Sequence, residues 1–151
     1  MLANSKDVDV LGPWAWKLMG SGQWFPEGKS ALGHIKDGEV LWAVVYDHYE
    51  KSGSIQVHLA ISSPKIVTRR AISQVFEYPF YQLGVKKVIA IINSENIKSL
   101  AFSLRIGWQI EHVIYDAYEM GDMYILSMTQ EQCRWIKGDT YGWISRSTAA
   151  A

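Results

Sequence analysis

Cysteine is nearly missing from this chain: Cys133 is the one thiol in 151 residues. That excludes an internal disulfide framework and a cysteine-rich zinc site. An excess of either charge is missing too, since Lys+Arg and Asp+Glu number 15 each. Neither a broad basic field for nucleic acid nor an acidic solvated scaffold follows from such a balance. No apolar run reaches the roughly 18 residues of a membrane span, and the N-terminal residues show no signal-peptide pattern. These absences predict a soluble protein of a reducing, cytoplasmic compartment, with no membrane partner. The spacings GxSxG, HExxH, GxxxxGK[ST] and GxGxxG do not occur. His34, His48 and His112 lack metal-ligand spacing, so no metal is expected.

What is present is an apolar, aromatic-rich chain. Hydrophobic residues make up 48%, with seven Trp and eight Tyr. That suffices for one core, and no repeat or linker divides it. A single domain is expected over residues 1–136. The polar, small-residue stretch 137–151 reads as a flexible tail.

The periodicity orders the elements. Residues 8–20 carry apolar positions at helical spacing, interrupted by Gly12-Pro13, and read as one helix or two short ones. A loop over 20–30 carries Trp24 and Phe25. Asp37-Gly38 is a two-residue hairpin signal between strands 31–36 and 39–46. In strand 54–61, Ile55, Val57, Leu59 and Ile61 alternate with Gln56, His58 and Ala60. Ser63-Pro64 then reads as an N-cap followed by proline at the first helical position. The helix it opens runs to about Tyr78, where Pro79 ends or kinks it. Val85–Ile92 is a β-branched run of the kind buried on both faces. Residues 93–106 read as a helix closed by Gly107, and strands over 108–118 and 123–128 finish the domain. Helix, three strands, helix, strand, helix, two strands is an α/β or α+β pattern around a mixed sheet, with one parallel crossover between 54 and 92.

Three features carry chemistry. Free amides at the helix start after Ile61, with Lys65, Arg69 and Arg70, form an anion site fit for a pyrophosphate. Asn93 and Asn96 flank the next helix start, where one spare side-chain amide is available to a ligand's amides. His58 lies on the polar face of a central strand, where an imidazole suits a general base. Each also has an ordinary structural role: a solvated first turn, an N-cap, a satisfied sheet histidine. Cys133 reads as buried filler.

The string Asn96-x-x-Ser99-x-x-Phe102 leading to Ile106-Gly107-Trp108, set in this element order, resembles the second motif of the GNAT (GCN5-related N-acetyltransferase) superfamily. Thr68-Arg69-Arg70, Phe76–Gly84, Gly121-Asp122 and Cys133-Arg134-Trp135 resemble small acetyltransferase-like proteins of tailed phages and prophages. The likeness covers about residues 30–136.

The resemblance implies a GNAT-like fold: a central, mostly antiparallel sheet with two splayed parallel strands, flanked by helices. It implies acetyl-CoA as co-substrate, with Leu59, Ala60 and Ile61 pairing with the pantetheine. The pyrophosphate would rest on Lys65, Ile66, Val67, Thr68, Arg69 and Arg70. Asn93, Asn96, Ser99 and Phe102 would line the other wall. An unidentified amine would attack directly, with His58 as candidate base and Tyr124, or a water, protonating the thiolate. A homodimer is a further expectation. Two positions depart from the family pattern. No glycine lies between Gly53 and Gly84, where relatives have a glycine-rich pyrophosphate loop, and Ser103 stands where many relatives place a thiolate-protonating Tyr. The alternative is a catalytically inactive phage structural or host-interaction protein, with Trp14, Trp16, Trp24 or Trp143 as interface anchors.

Overall fold

The computed structural model describes residues 2–63 and 67–136. Pro64, Lys65, Ile66, Trp143 and the expected tail at 137–151 lie outside the described residues. The strands are β1 (Leu2–Ser5), β2 (Ser30–Lys36), β3 (Glu39–Asp47), β4 (Ser54–Ile61), β5 (Lys87–Asn93), β6 (Gln109–Ile114) and β7 (Met123–Thr129). The helices are α1 (Val8–Met19), α2 (Arg69–Glu77) and α3 (Ile97–Ile106), and α2 runs on into a π-helical turn at Tyr78–Gln82. One seven-stranded sheet has the order β1-β2-β3-β4-β5-β7-β6. Only β4 and β5 pair in parallel among these neighbours.

The hairpin signal at Asp37-Gly38 is realised, with both residues at positive φ (51° and 82°), as a tight two-residue turn requires. α1 is one continuous helix despite Pro13. Asp7 caps its first turn by accepting from the Asp9 N–H, and Gly20 ends it in the left-handed conformation. Gly12 has a packing reason: a Cβ there would collide with the Trp24 ring.

α1 covers β2, β3 and β4 on one face. The smaller core lies there, built on Leu11, Ala15, Ala31, Ala43, Val45 and Ala60. The larger core lies on the other face, under α2, the π turn and α3, and includes Trp42, Tyr46, Phe76, Val88, Trp108 and Leu126. The Tyr46 hydroxyl donates to the Val75 carbonyl of α2. That bond satisfies a phenol whose burial pushes its pKa far up.

Three expectations are corrected. β1 adds an unforeseen edge strand, paired antiparallel with β2 from Leu2↔Lys36 to Ser5↔Gly33. β5 is not buried on both faces. Val88, Ala90 and Ile92 face the larger core, but Ile91 is 39% exposed, because α1 stops at β4. Finally, α2 begins later than Ser63-Pro64 signals. Its cap is Thr68, whose hydroxyl accepts from the Ala71 N–H at 3.0 Å.

Candidate active site

The sheet opens where β4 meets β5. The two strands pair over only Ser54–Gln56 and Lys87–Ile89. Beyond that they separate, although β4 stays fully paired with β3 from Gln56 to Ile61. β5 likewise stays paired with β7 along its whole length. The gap is therefore a splay between two intact half-sheets.

Backbone polarity in the gap follows from the ladder. The Ser62 N–H donates to the Leu41 carbonyl on the β3 side, whereas the Gly53 carbonyl accepts on the β5 side from the N–H groups of Lys86 and Lys87. Alternation along the strand then turns Ala60 toward β3 and turns the N–H and C=O groups of Leu59 and Ile61 into the gap. Of the three strand residues expected to pair with a ligand, Leu59 and Ile61 present the backbone groups. Ala60 is committed to Ala43 opposite it.

A cleft of about 780 Å³ fills the splay. One wall is His58, Leu59, Ala60 and Ile61; the other includes Ile91, Asn93, Asn96, Lys98, Ser99, Phe102 and Ser103. Val67 and Ala71 line it beside α2, and Leu18–Ser21 close it from the end of α1.

His58 reaches this cleft with a partner that sequence reasoning missed. Its Nε2 lies 2.8 Å from Asp47 Oδ1, and its ring meets Trp16 edge-on at 5.3 Å. His48 Nδ1 approaches the same Asp47 oxygen at 3.0 Å. Asp47 is 7% exposed, and burial pushes its carboxyl up. The hydrogen bonds and charges of His58 and His48 outweigh that and hold it below the ordinary carboxylate value. A carboxylate only accepts, so His58 donates from Nε2 and keeps Nδ1 as its basic nitrogen. No local sequence signal marks Asp47; the β3–β4 register places it. Val45 faces His58 and Asp47 faces Gln56, which sets Asp47 and His58 diagonally on one face of the sheet.

The asparagines are more occupied than expected. Asn93 Oδ1 accepts from the Glu95 N–H, and its amide donates to the Met120 carbonyl. Asn93 therefore ties the 118–122 turn to the end of β5, and its side chain is not spare. Gly121 sits tight against it, since a Cβ there would strike Asn93 Oδ1. Asn96 caps α3 by accepting from the Ser99 N–H at 3.3 Å. The turn held by Asn93 brings Tyr118 to the cleft. Tyr124 lies opposite Ile92, packs against the larger core and is not among the lining residues.

At the anion end, Thr68 caps α2 by accepting from the Ala71 N–H, and Arg69 and Arg70 stand in the first turn of the helix. The Arg70 guanidinium pairs with Glu77 at 3.2 Å and Arg69 lies over the Trp135 ring at 5.8 Å. Lys65 and Ile66 lie outside the described residues. Among the described residues no three His, Cys, Asp or Glu side chains gather as a metal site, and no helix is long and apolar enough to cross a membrane. His34 is taken by Gln74 at 2.9 Å, and its burial lowers its pKa.

A splayed parallel pair, a helix start beside it and an Asn-capped helix across it are the parts of one known architecture. The chain has a GNAT fold. Solved structures superpose closely on it. Two mutant forms of the spermidine/spermine N-acetyltransferase SpeG from Vibrio cholerae share 14% identity, with a TM-score of 0.70 over 87% of this chain and 96% of theirs. A further SpeG variant from that organism reaches a TM-score of 0.71 at 12% identity, over 90% of this chain and 96% of its own. The dodecameric structure of that spermidine N-acetyltransferase gives 0.70 at 14% identity, over 86% and 94%. No family model and no curated protein sequence matches the chain.

Proposed function

We propose that this protein is an acyl-CoA-dependent N-acyltransferase that moves an acetyl group from acetyl-CoA to an amine. The observation that carries this reading is the β4–β5 splay: Leu59 and Ile61 present unpaired backbone groups to a cleft that also holds a carboxylate-oriented histidine. The pantetheine arm pairs with β4 as an added strand, its pyrophosphate meets the first-turn amides of Arg69 and Arg70, and Ser99 and Phe102 line its other side. Helix-start amides substitute there for the glycine-rich loop the sequence lacks.

The amine nitrogen attacks the thioester carbonyl carbon, the carbon–sulfur bond breaks, and coenzyme A leaves as thiolate. His58 takes the amine proton on Nδ1, while Asp47 holds the ring through Nε2 and stabilises the imidazolium. A β4 N–H stabilises the developing oxyanion. Tyr118, which lines the cleft where Tyr124 does not, or a water returns a proton to the thiolate.

The SpeG neighbours are named for spermidine. In this chain the described cleft-lining residues include Lys98 and His58 but no Asp or Glu. A polycation would find no countercharge there, so the reading favours a monoamine acceptor. β6 leaves Ile110 and Ile114 exposed along a sheet edge, and a homodimer through that edge is part of the proposal.

Calorimetric titration with acetyl-CoA tests the core of it. Saturable binding is expected, weakened about tenfold or more in the Arg69→Ala/Arg70→Ala double variant through lost charge at the helix start. A parent protein that binds no acetyl-CoA would refute the assignment. Release of free thiol with a panel of monoamines, with spermidine for comparison, then reads the acceptor class.

A further inference from the structure

Trp42 has a feature that packing does not explain. Its indole Nε1 is the one buried side-chain polar atom without a hydrogen-bond partner among the described residues. The ring is 2% exposed, sits on β3 opposite Ile61 and lines the cleft. On its other side it tilts against His34 at 4.8 Å. His34 donates from Nε2 to Gln74 Oε1, and no hydrogen bond joins the indole to its remaining Nδ1. Ala71 and Ile72 of α2 and Val57 of β4 line the cleft with it, and they are apolar.

An orphaned buried donor costs about 1–3 kcal/mol, and native proteins rarely carry one without a reason. Because Trp42 lines the cleft, a ligand seated there can supply the acceptor that no described protein group provides. Its chemistry is constrained by the surroundings. A neutral donor in a nearly dry, apolar setting suits a neutral acceptor, because burying an anion there would be far more costly. The charged end of an acyl-CoA belongs at the exposed first turn of α2. The neutral acceptors along its arm are the amide carbonyls of pantetheine.

We infer that the Trp42 indole N–H is a ligand-binding donor that hydrogen-bonds a pantetheine amide carbonyl. The inference rests on the acyl-CoA reading of the cleft. It adds a side-chain donor from β3 to the backbone groups of β4, so that the arm is held from two strands.

Calorimetry with two donors tests it: acetyl-CoA, and S-acetylpantetheine, which lacks the nucleotide. Trp42→Phe is expected to weaken both by a similar factor of about five to ten, the worth of one neutral hydrogen bond. Equal affinity in parent and variant overturns the inference, since the indole is then satisfied by buried water. A loss confined to acetyl-CoA overturns it as well, because the N–H then serves the nucleotide end. A parent protein that binds neither donor removes the acyl-CoA reading itself, and that result is distinct from both. A measurement on the parent chain covers a variant that fails to fold. Hydrogen exchange at the Trp42 indole, followed by nitrogen–proton spectroscopy, is expected to slow at least tenfold on saturation with acetyl-CoA. An unchanged rate overturns the inference.

Discussion

Proline substitution separates the two sides of β4, because the strand presents one edge to a complete ladder and the other to an open gap. Ala60 pairs with Ala43 of β3, while Leu59 turns its N–H toward β5 beyond the last paired residues. Ala60→Pro removes a ladder hydrogen bond and orphans a carbonyl opposite, at about 2–4 kcal/mol. For a chain of this size that lowers Tm by roughly 10 °C. Leu59→Pro removes an N–H that no ladder uses, and the gap leaves room for the ring. Its extra cost over Leu59→Ala, which controls for the lost side chain, is expected to stay under about 1 kcal/mol. Function inverts this order. Relative to Leu59→Ala, Leu59→Pro loses one hydrogen bond to the donor and binds acetyl-CoA about 2- to 12-fold more weakly. If that N–H also holds the oxyanion, turnover falls a further 10²–10³-fold. Thermal unfolding monitored by circular dichroism and calorimetric titration read the two effects separately. Equal destabilisation by the two prolines would show that β4 and β5 close on each other in solution, and the splay argument would fail.

Other consequences are direct. The Asp47 carboxyl is held below its ordinary value, so its stabilising contribution is present above the unfolded carboxylate pKa of about 3.9 and is lost as pH falls through the folded value. Asp47→Asn should therefore flatten the stability profile in that acid window and, at neutral pH, lower kcat with little change in acetyl-CoA affinity; an unchanged kcat would remove Asp47 from the base. Thr68→Ala is expected to cost about 1 kcal/mol in chemical denaturation through the lost Ala71 cap, and no loss would move the start of α2 away from Thr68. Gly12→Ala forces a Cβ into the Trp24 ring, with about 1–3 kcal/mol of destabilisation expected from overpacking; a neutral result would mean that Trp24 is not seated on α1.

Much of the architecture is legible in local sequence because its signals are local. Asp37-Gly38 demands positive φ and so fixes the β2–β3 turn; Asn96 and Gly107 bracket α3 by capping chemistry; alternation in Ser54–Ile61 sorts β4 into two faces. What escapes is set by tertiary context. Leu2–Ser5 is too short to show a period, and it is a strand only because β2 offers an edge. The run Val88–Ile92 looks doubly buried, but how far α1 extends over the sheet decides its second face. Ser63-Pro64 and Thr68 are competing caps with similar chemistry, and the cap that closes on Ala71 opens α2. For the site, His58 was visible and Asp47 was not, because their pairing depends on hairpin register. Tyr124 and Tyr118 are equivalent in sequence until the Asn93–Met120 tie draws one of them to the cleft.

The same features explain why a pocket can stand open in the middle of a sheet. A gap inside a β-sheet normally exposes donors and acceptors that the strands would bury by closing together. Here β4 is held by six consecutive register pairs to β3, from Trp42↔Ile61 to Asp47↔Gln56, and β5 by seven to β7. Closing the gap would shear one of those ladders, so the unpaired edge of Leu59 and Ile61 is stable enough to await a ligand strand. Parity sets His58 apart from that edge: its backbone faces β3, and its ring, on the α1 face of the strand, turns to Asp47 and Trp16. One residue along, parity reverses and the backbone faces the open gap. Strand alternation alone thus sets a candidate base and a candidate oxyanion donor side by side in consecutive residues, without the glycine-rich loop the sequence lacks.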